Sequence, residues 1–357
     1  MLYGEILNAF YLNGRPISCE RFGNGNINGT FLVGTDRGKT YILQLVNHHV
    51  FTDLNGLMNN IIAVTDWLRT KDRDPRHVLR LIPLKTGGYL YTDRDDKCWR
   101  ITEFVDRCVT IDVPEEPSDF EKVGRAFGNF QQQLSDFPPG RLAETIPHFH
   151  DTPMRYEQLR QAVRENRAGR ADSVTAEIDA AFGFEKYAPI LTDLAKTGEL
   201  PLRVTHNDAK TSNILLDADS HEPVCVIDLD TVMPGLVGCD FGDAIRSGAA
   251  TAPESEADLS KVLFSLDMYD AFAKGFLSAC GSDLNKAEIE TLPYGAILMT
   301  LECGIRFLAD YLNGDIYFNI TTPTMNLDKT RNQFKLITEM EKQLDEMKRI
   351  VKKYGKI

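Results

Sequence analysis

Apolar runs at Phe31–Val33 and Tyr41–Leu45 flank Thr35-Asp36-Arg37-Gly38, a pattern that predicts a β-hairpin. Leu54, Leu57, Met58, Ile61, Ile62 and Leu68 then recur at helical spacing, giving one amphipathic helix. Leu79–Pro83, Tyr89–Thr92 and Trp99–Phe104 read as further strands, separated by Gly87-Gly88 and by the polar run 93–97. Beyond Pro114-Glu115-Glu116-Pro117 the character changes. Ser118-x-x-Glu121 is a capping-box signature, followed by Phe120, Val123, Phe127, Phe130 and Leu134 on one helical face. The rest reads as helix, including a charged amphipathic tail over 330–354, apart from β-like runs at Leu202–Thr205, Ile214–Leu216 and Val224–Leu229. The expected architecture is α+β, with an antiparallel-sheet lobe over residues 1–105 and a mainly helical lobe over 106–357.

Composition narrows the partners. The chain has 357 residues, 43% hydrophobic, with a formal net charge of −12. Such a surface repels phosphate backbones and anionic headgroups, so neither nucleic acid nor a membrane is expected as a partner. No apolar run approaches the roughly 20 residues of a membrane span, and the N-terminus lacks the basic-then-apolar pattern of a signal peptide. A cytoplasmic location follows as the expectation. The seven cysteines are scattered and none forms a C-x-x-C pair, so they read as ordinary packing residues.

Chemistry concentrates in one stretch. Leu202–Thr205 leads into His206-Asn207-Asp208, Asn213 comes five residues after Asp208, and Val224–Ile227 delivers Asp228. The spacing is H-x-D-x₄-N-x₁₄-D, with two apolar strands around the polar residues. Asp and Asn at strand ends are ordinary turn formers, and a lone His-x-Asp is uninformative; the complete spacing is far rarer by chance. Phosphoryl transfer needs this set. Its loose, in-line transition state leaves catalysis to positioning and charge neutralisation. Mg²⁺ takes hard oxygens and keeps several waters, so the amide oxygen of Asn213 and the carboxylate of Asp228 suffice as ligands. A metal-free carboxylate, Asp208, then orients the attacking hydroxyl and accepts its proton. His206 reads as a hydrogen bonder behind the loop. Upstream, Gly23-Asn24-Gly25-Asn26-Ile27-Asn28 precedes a strand, where backbone N–H groups at Gly23, Gly25, Asn26 and Asn28 can approach the phosphates of ATP. Gly-Asn runs are also ordinary turns.

These segments resemble the aminoglycoside phosphotransferase and choline kinase superfamily, and more closely its N-acetylhexosamine 1-kinase branch, over nearly the whole chain. The resemblance rests on 22–28, on Ile146-Pro147-His148-Phe149-His150-Asp151-Thr152-Pro153, on 202–213 and on Ile227-Asp228-Leu229-Asp230-Thr231. It continues through Asp240-Phe241-Gly242-Asp243, Glu302-Cys303-Gly304-Ile305-Arg306-Phe307 and Gly314-Asp315-Ile316-Tyr317-Phe318. It implies a bilobal protein-kinase-like fold, Asp208 as catalytic base, Asn213 and Asp228 as Mg²⁺ ligands, and ATP as co-substrate. It also implies a hinge at Glu103 and Val105 whose backbone meets the nucleotide base, although as sequence this is simply a strand end. Asp240-Phe241-Gly242 copies the metal motif of protein kinases, but Asp228 directly follows the catalytic loop and is preferred; Asp240 reads as a helix N-cap. One departure stands out: the third strand offers neutral Gln44 where such folds place Lys or Arg.

The acceptor implied by the branch is an N-acetylhexosamine, phosphorylated at its anomeric hydroxyl. A sugar needs hydrogen bonders and an aromatic platform, for which Asp208, Thr231, Arg306 and Tyr317 are the candidates. Arg306 has an alternative in helix-surface pairs with Glu302 and Asp310, four residues to either side. His148 and His150 read as structural. A kinase for another small hydroxyl compound (homoserine, choline, methylthioribose or an aminoglycoside) and a catalytically dead nucleotide- or sugar-binding protein remain the rivals.

Overall fold

A computed structural model describes residues 3–23, 28–48 and 50–357; Gly25 and Asn26 lie outside the described residues. The chain opens with α1 (Gly4–Ala9), β1 (Pro16–Arg21), β2 (Gly29–Thr35), β3 (Thr40–Val46) and α2 (Leu54–Lys71). Next come β4 (Tyr91–Thr92), β5 (Cys98–Glu103), β6 (Cys108–Val109), α3 (Pro117–Gln133), α4 (Thr152–Glu165), α5 (Thr175–Gly183) and α6 (Pro189–Lys196). It continues with β7 (Arg203–Thr205), β8 (Ile214–Asp217), β9 (Pro223–Val226), β10 (Met233–Gly235), α7 (Val237–Gly248), α8 (Leu266–Cys280), α9 (Lys286–Asn313) and α10 (Met325–Gly355). Two compact units result. The first is Met1–Val109 with Gly140–Pro147 and Leu215–Met233; the second is Thr110–Pro139, His148–Ile214 and Pro234–Ile357.

The first unit is built on an antiparallel sheet in the order β1-β2-β3-β5-β4. The predicted hairpin is β2–β3, and the predicted helix is α2, capped by Asp53 accepting the N–H of Gly56 at 2.8 Å. Side chains alternate across the sheet. Tyr41 and Leu43 of β3 and Trp99 and Ile101 of β5 therefore enter one core with Ile6, Leu7 and Phe10, whereas Gln44 and Arg100 belong to the other face. The expected strand at Leu79–Pro83 is reduced to a single bridge, Leu81 to Thr102: Ile82 still gives its N–H to Ile101 O, but the next donor on that side, Leu84 N–H, turns to Gly88 O. β1 escaped the sequence reading because its side chains are mostly exposed and form no apolar run. The outlying segments join this unit through specific bonds. β8 pairs with β6 (Cys108 with Asp217), Arg76 holds Asp217 at 2.9 Å, and the buried Asn60 donates to Ala143 O at 2.8 Å and Val232 O at 2.9 Å.

The second unit is helical: α3 packs on α8, and α9 packs on α7 and α10. The expected capping box at Ser118 does not form. Helix α3 starts two residues earlier than that box would place it, at Pro117, with Glu116 as a cap that makes no side-chain bond, since proline at the first position has no N–H to satisfy. A true capping box instead starts α9, where Asn285 and Glu288 exchange bonds. By length and composition α9 is apolar enough to pass for a membrane span, although it holds no uninterrupted apolar run of that length. Of its apolar window 78% is buried inside the protein, and it is a core helix. Its contact with α7 is backbone on backbone: a Cβ on Gly295 would collide with Gly238 O, and one on Gly242 with Gly295 O.

That contact gives the first testable outcome. Gly295→Ala should cost about 1–3 kcal/mol of stability by overpacking, read as a lower urea midpoint, whereas alanine at exposed Gly140, with nothing within 4 Å of its Cβ, should be near neutral.

Candidate active site

The loop from His206 to Asn213 lies in the second unit and is held from behind. Asn207 sits at φ +62°, a left-handed conformation that Asn tolerates better than most residues. In that geometry its N–H and that of His206 are buried without an intraloop acceptor. The carboxylate of Asp240 takes both, at 2.7 Å from Asn207 N and 2.8 Å from His206 N, and also accepts Gln131 Nε2 at 2.9 Å. Asp240 is thus not a helix N-cap: α7 begins at Val237, capped by Leu236, and Asp240 is a buried anchor in its first turn. His206 is completely buried, edge-on to Phe127 and Phe130, and its Nδ1 accepts the N–H of Asp208 at 3.3 Å.

The other end of the Asn207 peptide is held as well. Its carbonyl lies 3.2 Å from His150 Nε2, and His150 Nδ1 is 3.2 Å from Glu302 Oε1. Burial disfavours charge on His150, but Glu302, Asp243 and the Asn207 carbonyl outweigh it and raise its pKa. His150 is therefore a structural link, as expected, between the loop and helix α9.

Within the loop, Asn213 Nδ2 donates to Asp208 O at 2.8 Å and to Asp208 Oδ2 at 3.3 Å. This fixes the amide so that its oxygen is the end left for a cation. Lys210, which the sequence reading passed over although it stands two residues after Asp208, pairs with Asp208 Oδ1 at 2.6 Å. Burial lowers the affinity of Lys210 for its proton, yet Asp208 and Asp243 more than compensate, and its pKa is raised. Burial likewise opposes charge on Asp243, but Arg246 and Lys210 hold its carboxyl below the usual range. Arg246 contacts Asp243 Oδ1 at 2.9 Å and Glu254 at 2.8 Å.

The acceptor candidates Arg306 and Tyr317 come together. The guanidinium of Arg306 stands 5.7 Å from the Tyr317 ring and 5.5 Å from that of Phe318, while the Tyr317 side chain is 63% exposed. The helix-surface pairs considered for Arg306 are absent. Glu302 turns to His150, and Asp310 accepts the N–H groups of Ile316, Tyr317 and Phe318 at 2.9–3.0 Å, which shapes the turn presenting Tyr317.

The remaining candidates lie in the first unit. Asp228 ends its apolar run exposed, at φ +59°, and Thr231 is 8% exposed three residues on. Between them Asp230 is buried, 2.5 Å from Arg100 Nη1, and accepts Asn28 Nδ2 at 2.5 Å. Asn28 Oδ1 in turn accepts the Asn47 N–H at 3.0 Å, so its side chain is engaged and its backbone is what it offers a phosphate. Gln44 accepts Arg100 Nε at 3.0 Å. Gly23 has φ +71° with open space around it. Glu103 gives its N–H to Arg80 O at 2.8 Å, so a base contact there falls to its carbonyl; Val105 follows β5 and is half-buried.

Residues 18–272 match the family described as the phosphotransferase enzyme family. Among solved structures, a microcompartment-associated aminopropanol kinase superposes with a TM-score of 0.66 at 17% identity, over 97% of this chain and 98% of its own. An amicoumacin kinase solved with AMP-PNP and Ca²⁺ gives 0.59 at 14% identity, over 95% and 92%. A choline kinase from Cryptosporidium parvum gives 0.52 at 15%, over 95% and 93%. These likenesses show a shared kinase-like α+β fold, with the antiparallel sheet in the N-terminal part and helices in the C-terminal part.

Two outcomes test the loop's supports. Asp240→Asn replaces one acceptor oxygen by a donor beneath two N–H groups; it should destabilise by about 1–3 kcal/mol and speed hydrogen exchange at His206 and Asn207. The stabilisation from protonated His150 is present in full below about pH 6.5 and lost as pH rises through its raised pKa. The difference in thermal midpoint between the protein and His150→Gln should therefore shrink from pH 6 to pH 9.

Proposed function

The chain belongs to the phosphotransferase enzyme family and is a small-molecule phosphotransferase, and on that premise we propose that it transfers the γ-phosphate of ATP to the anomeric hydroxyl of an N-acetylhexosamine. The observation that carries the chemistry is the clamped loop. Asp208 follows Asn207, whose N–H is held by Asp240 and whose carbonyl by His150, and gives its own N–H to His206, so its carboxylate is positioned before substrate arrives, as a catalytic base requires. Asp208 orients the sugar hydroxyl and accepts its proton. Asn213, its amide nitrogen spent on Asp208, and Asp228 are the ligands proposed for Mg²⁺, which would neutralise charge on the phosphates. Lys210 pairs with Asp208 Oδ1 at 2.6 Å, a contact that the substrate hydroxyl would share or displace.

The nucleotide is assigned to lobe 1–105 through the backbone of Gly23, Gly25, Asn26 and Asn28, the amide of Gln44, and the hinge at Glu103 and Val105. The sugar is assigned to Asp208, Thr231, Arg306 and Tyr317 in the lobe 106–357. Arg306 argues for a neutral acceptor. A guanidinium close to an exposed tyrosine ring offers donors to hydroxyl and acetamide oxygens and repels a cation. The second reading is an amino alcohol, the substrate type named for the aminopropanol and choline kinases that share the fold; the same Arg306 counts against it.

Coupled ATP-consumption assays with N-acetylglucosamine, N-acetylgalactosamine, choline and aminopropanol should show turnover with the sugars. Asp208→Ala should reduce it by about 10²–10⁴-fold. Undiminished turnover in that variant would sink the mechanism, and turnover with the amines alone would replace the acceptor. Arg306→Gln should raise KM for the sugar while leaving KM for ATP in place.

A further inference from the structure

The neutral Gln44 leaves the first unit without a cation on the strand where phosphate charge would be met. Strand register supplies one. Gln44 pairs directly with Arg100, so their side chains project from the same face of the sheet. Arg100 is 4% exposed and its nitrogens are unequally used. Nε donates to Gln44 at 3.0 Å. Nη1 lies 2.5 Å from Asp230 Oδ1 but is not aligned with it as a hydrogen-bond donor. Nη2 has no partner among the described residues. Asp230 is two residues beyond Asp228, and its other oxygen accepts from Asn28 at the end of the glycine-rich loop. Arg100 thus links Gln44 on β3 to Asp230, and through Asp230 to Asn28.

A buried ion pair alone is a poor reason for such a residue, because desolvating both charges offsets most of their attraction. Arginine stays charged at any working pH and presents a planar fork suited to phosphate oxygens. We propose that Arg100 is the phosphate-binding cation of this enzyme, reaching from β5 the position that β3 leaves neutral. Gln44 and Asp230 are its positioning residues. They hold Nε and Nη1 so that the Nη2 edge donates to the nucleotide's phosphate oxygens. Arg100 then serves the donor phosphates while Lys210, in the other unit, serves Asp208.

This inference rests on the kinase reading, and the experiment separates the two. Calorimetry would measure binding of Mg²⁺·AMP-PNP and of adenosine, which has no phosphates, to the protein and to Arg100→Gln. The expected result is an AMP-PNP affinity weakened about 10- to 100-fold with adenosine affinity unchanged. In the double variant Gln44→Lys/Arg100→Gln, a cation returns on the neighbouring strand and most of the AMP-PNP affinity should return with it; this variant also serves if the single one does not fold. Equal losses for both ligands, or a double variant that folds without recovering AMP-PNP, would make Arg100 a structural staple and overturn the proposal. Unchanged AMP-PNP binding in Arg100→Gln overturns it too, while leaving the kinase reading intact. A wild-type protein that binds no AMP-PNP removes both.

Discussion

The carboxylate of Asp240 holds the loop that follows β7 in its left-handed turn at Asn207. A peptide in the left-handed conformation at Asn207 leaves buried N–H groups that nothing in the loop can accept, and each such orphan costs about 1–3 kcal/mol. One buried carboxylate takes two of them. Its position depends on α7, and α7 reaches that depth because Gly242 and Gly295 let two helix backbones meet. The same α9 carries Glu302, whose link through His150 secures the Asn207 carbonyl. The direction of Asp208 is therefore set by packing well removed from it in sequence.

Charge is arranged in the same economical manner. An overall −12 disfavours a polyanionic ligand, so positive charge must be local and protected. In the second unit Lys210 pairs with Asp208, and the buried Asp243 and Arg246 pair with each other, Arg246 reaching on to Glu254. In the first, Arg100 is buried between Gln44 and Asp230. Each cation is kept by a carboxylate at short range, and for the buried Arg100–Asp230 pair screening by water is weak.

The fold is shared with kinases that act on unlike acceptors, and fold alone does not select among them. In this chain Arg306 meets Tyr317 and Phe318. Asp310 shapes that surface by satisfying three consecutive N–H groups of the turn.

Much of this was legible in the sequence, for definite reasons. The hairpin, α2 and the short strands around the catalytic loop were visible because apolar period and turn residues are local properties. Asp208, Asn213 and Asp228 could be proposed from sequence because phosphoryl transfer would constrain both residue type and spacing within one short stretch. Elements without an apolar run, such as β1, left no local signal, and the box at Ser118 was displaced by a proline whose preference is stronger. The roles of Asp240 and Arg100 could not be read at all. Asp240 is defined by two N–H groups over thirty residues away, and Arg100 by cross-strand register with Gln44. The sequence by itself determined which chemistry the chain carries, because reacting groups must be of the right type. Only the tertiary structure decided what holds those groups and which distant charges attend them, because burial and pairing depend on what packs against what.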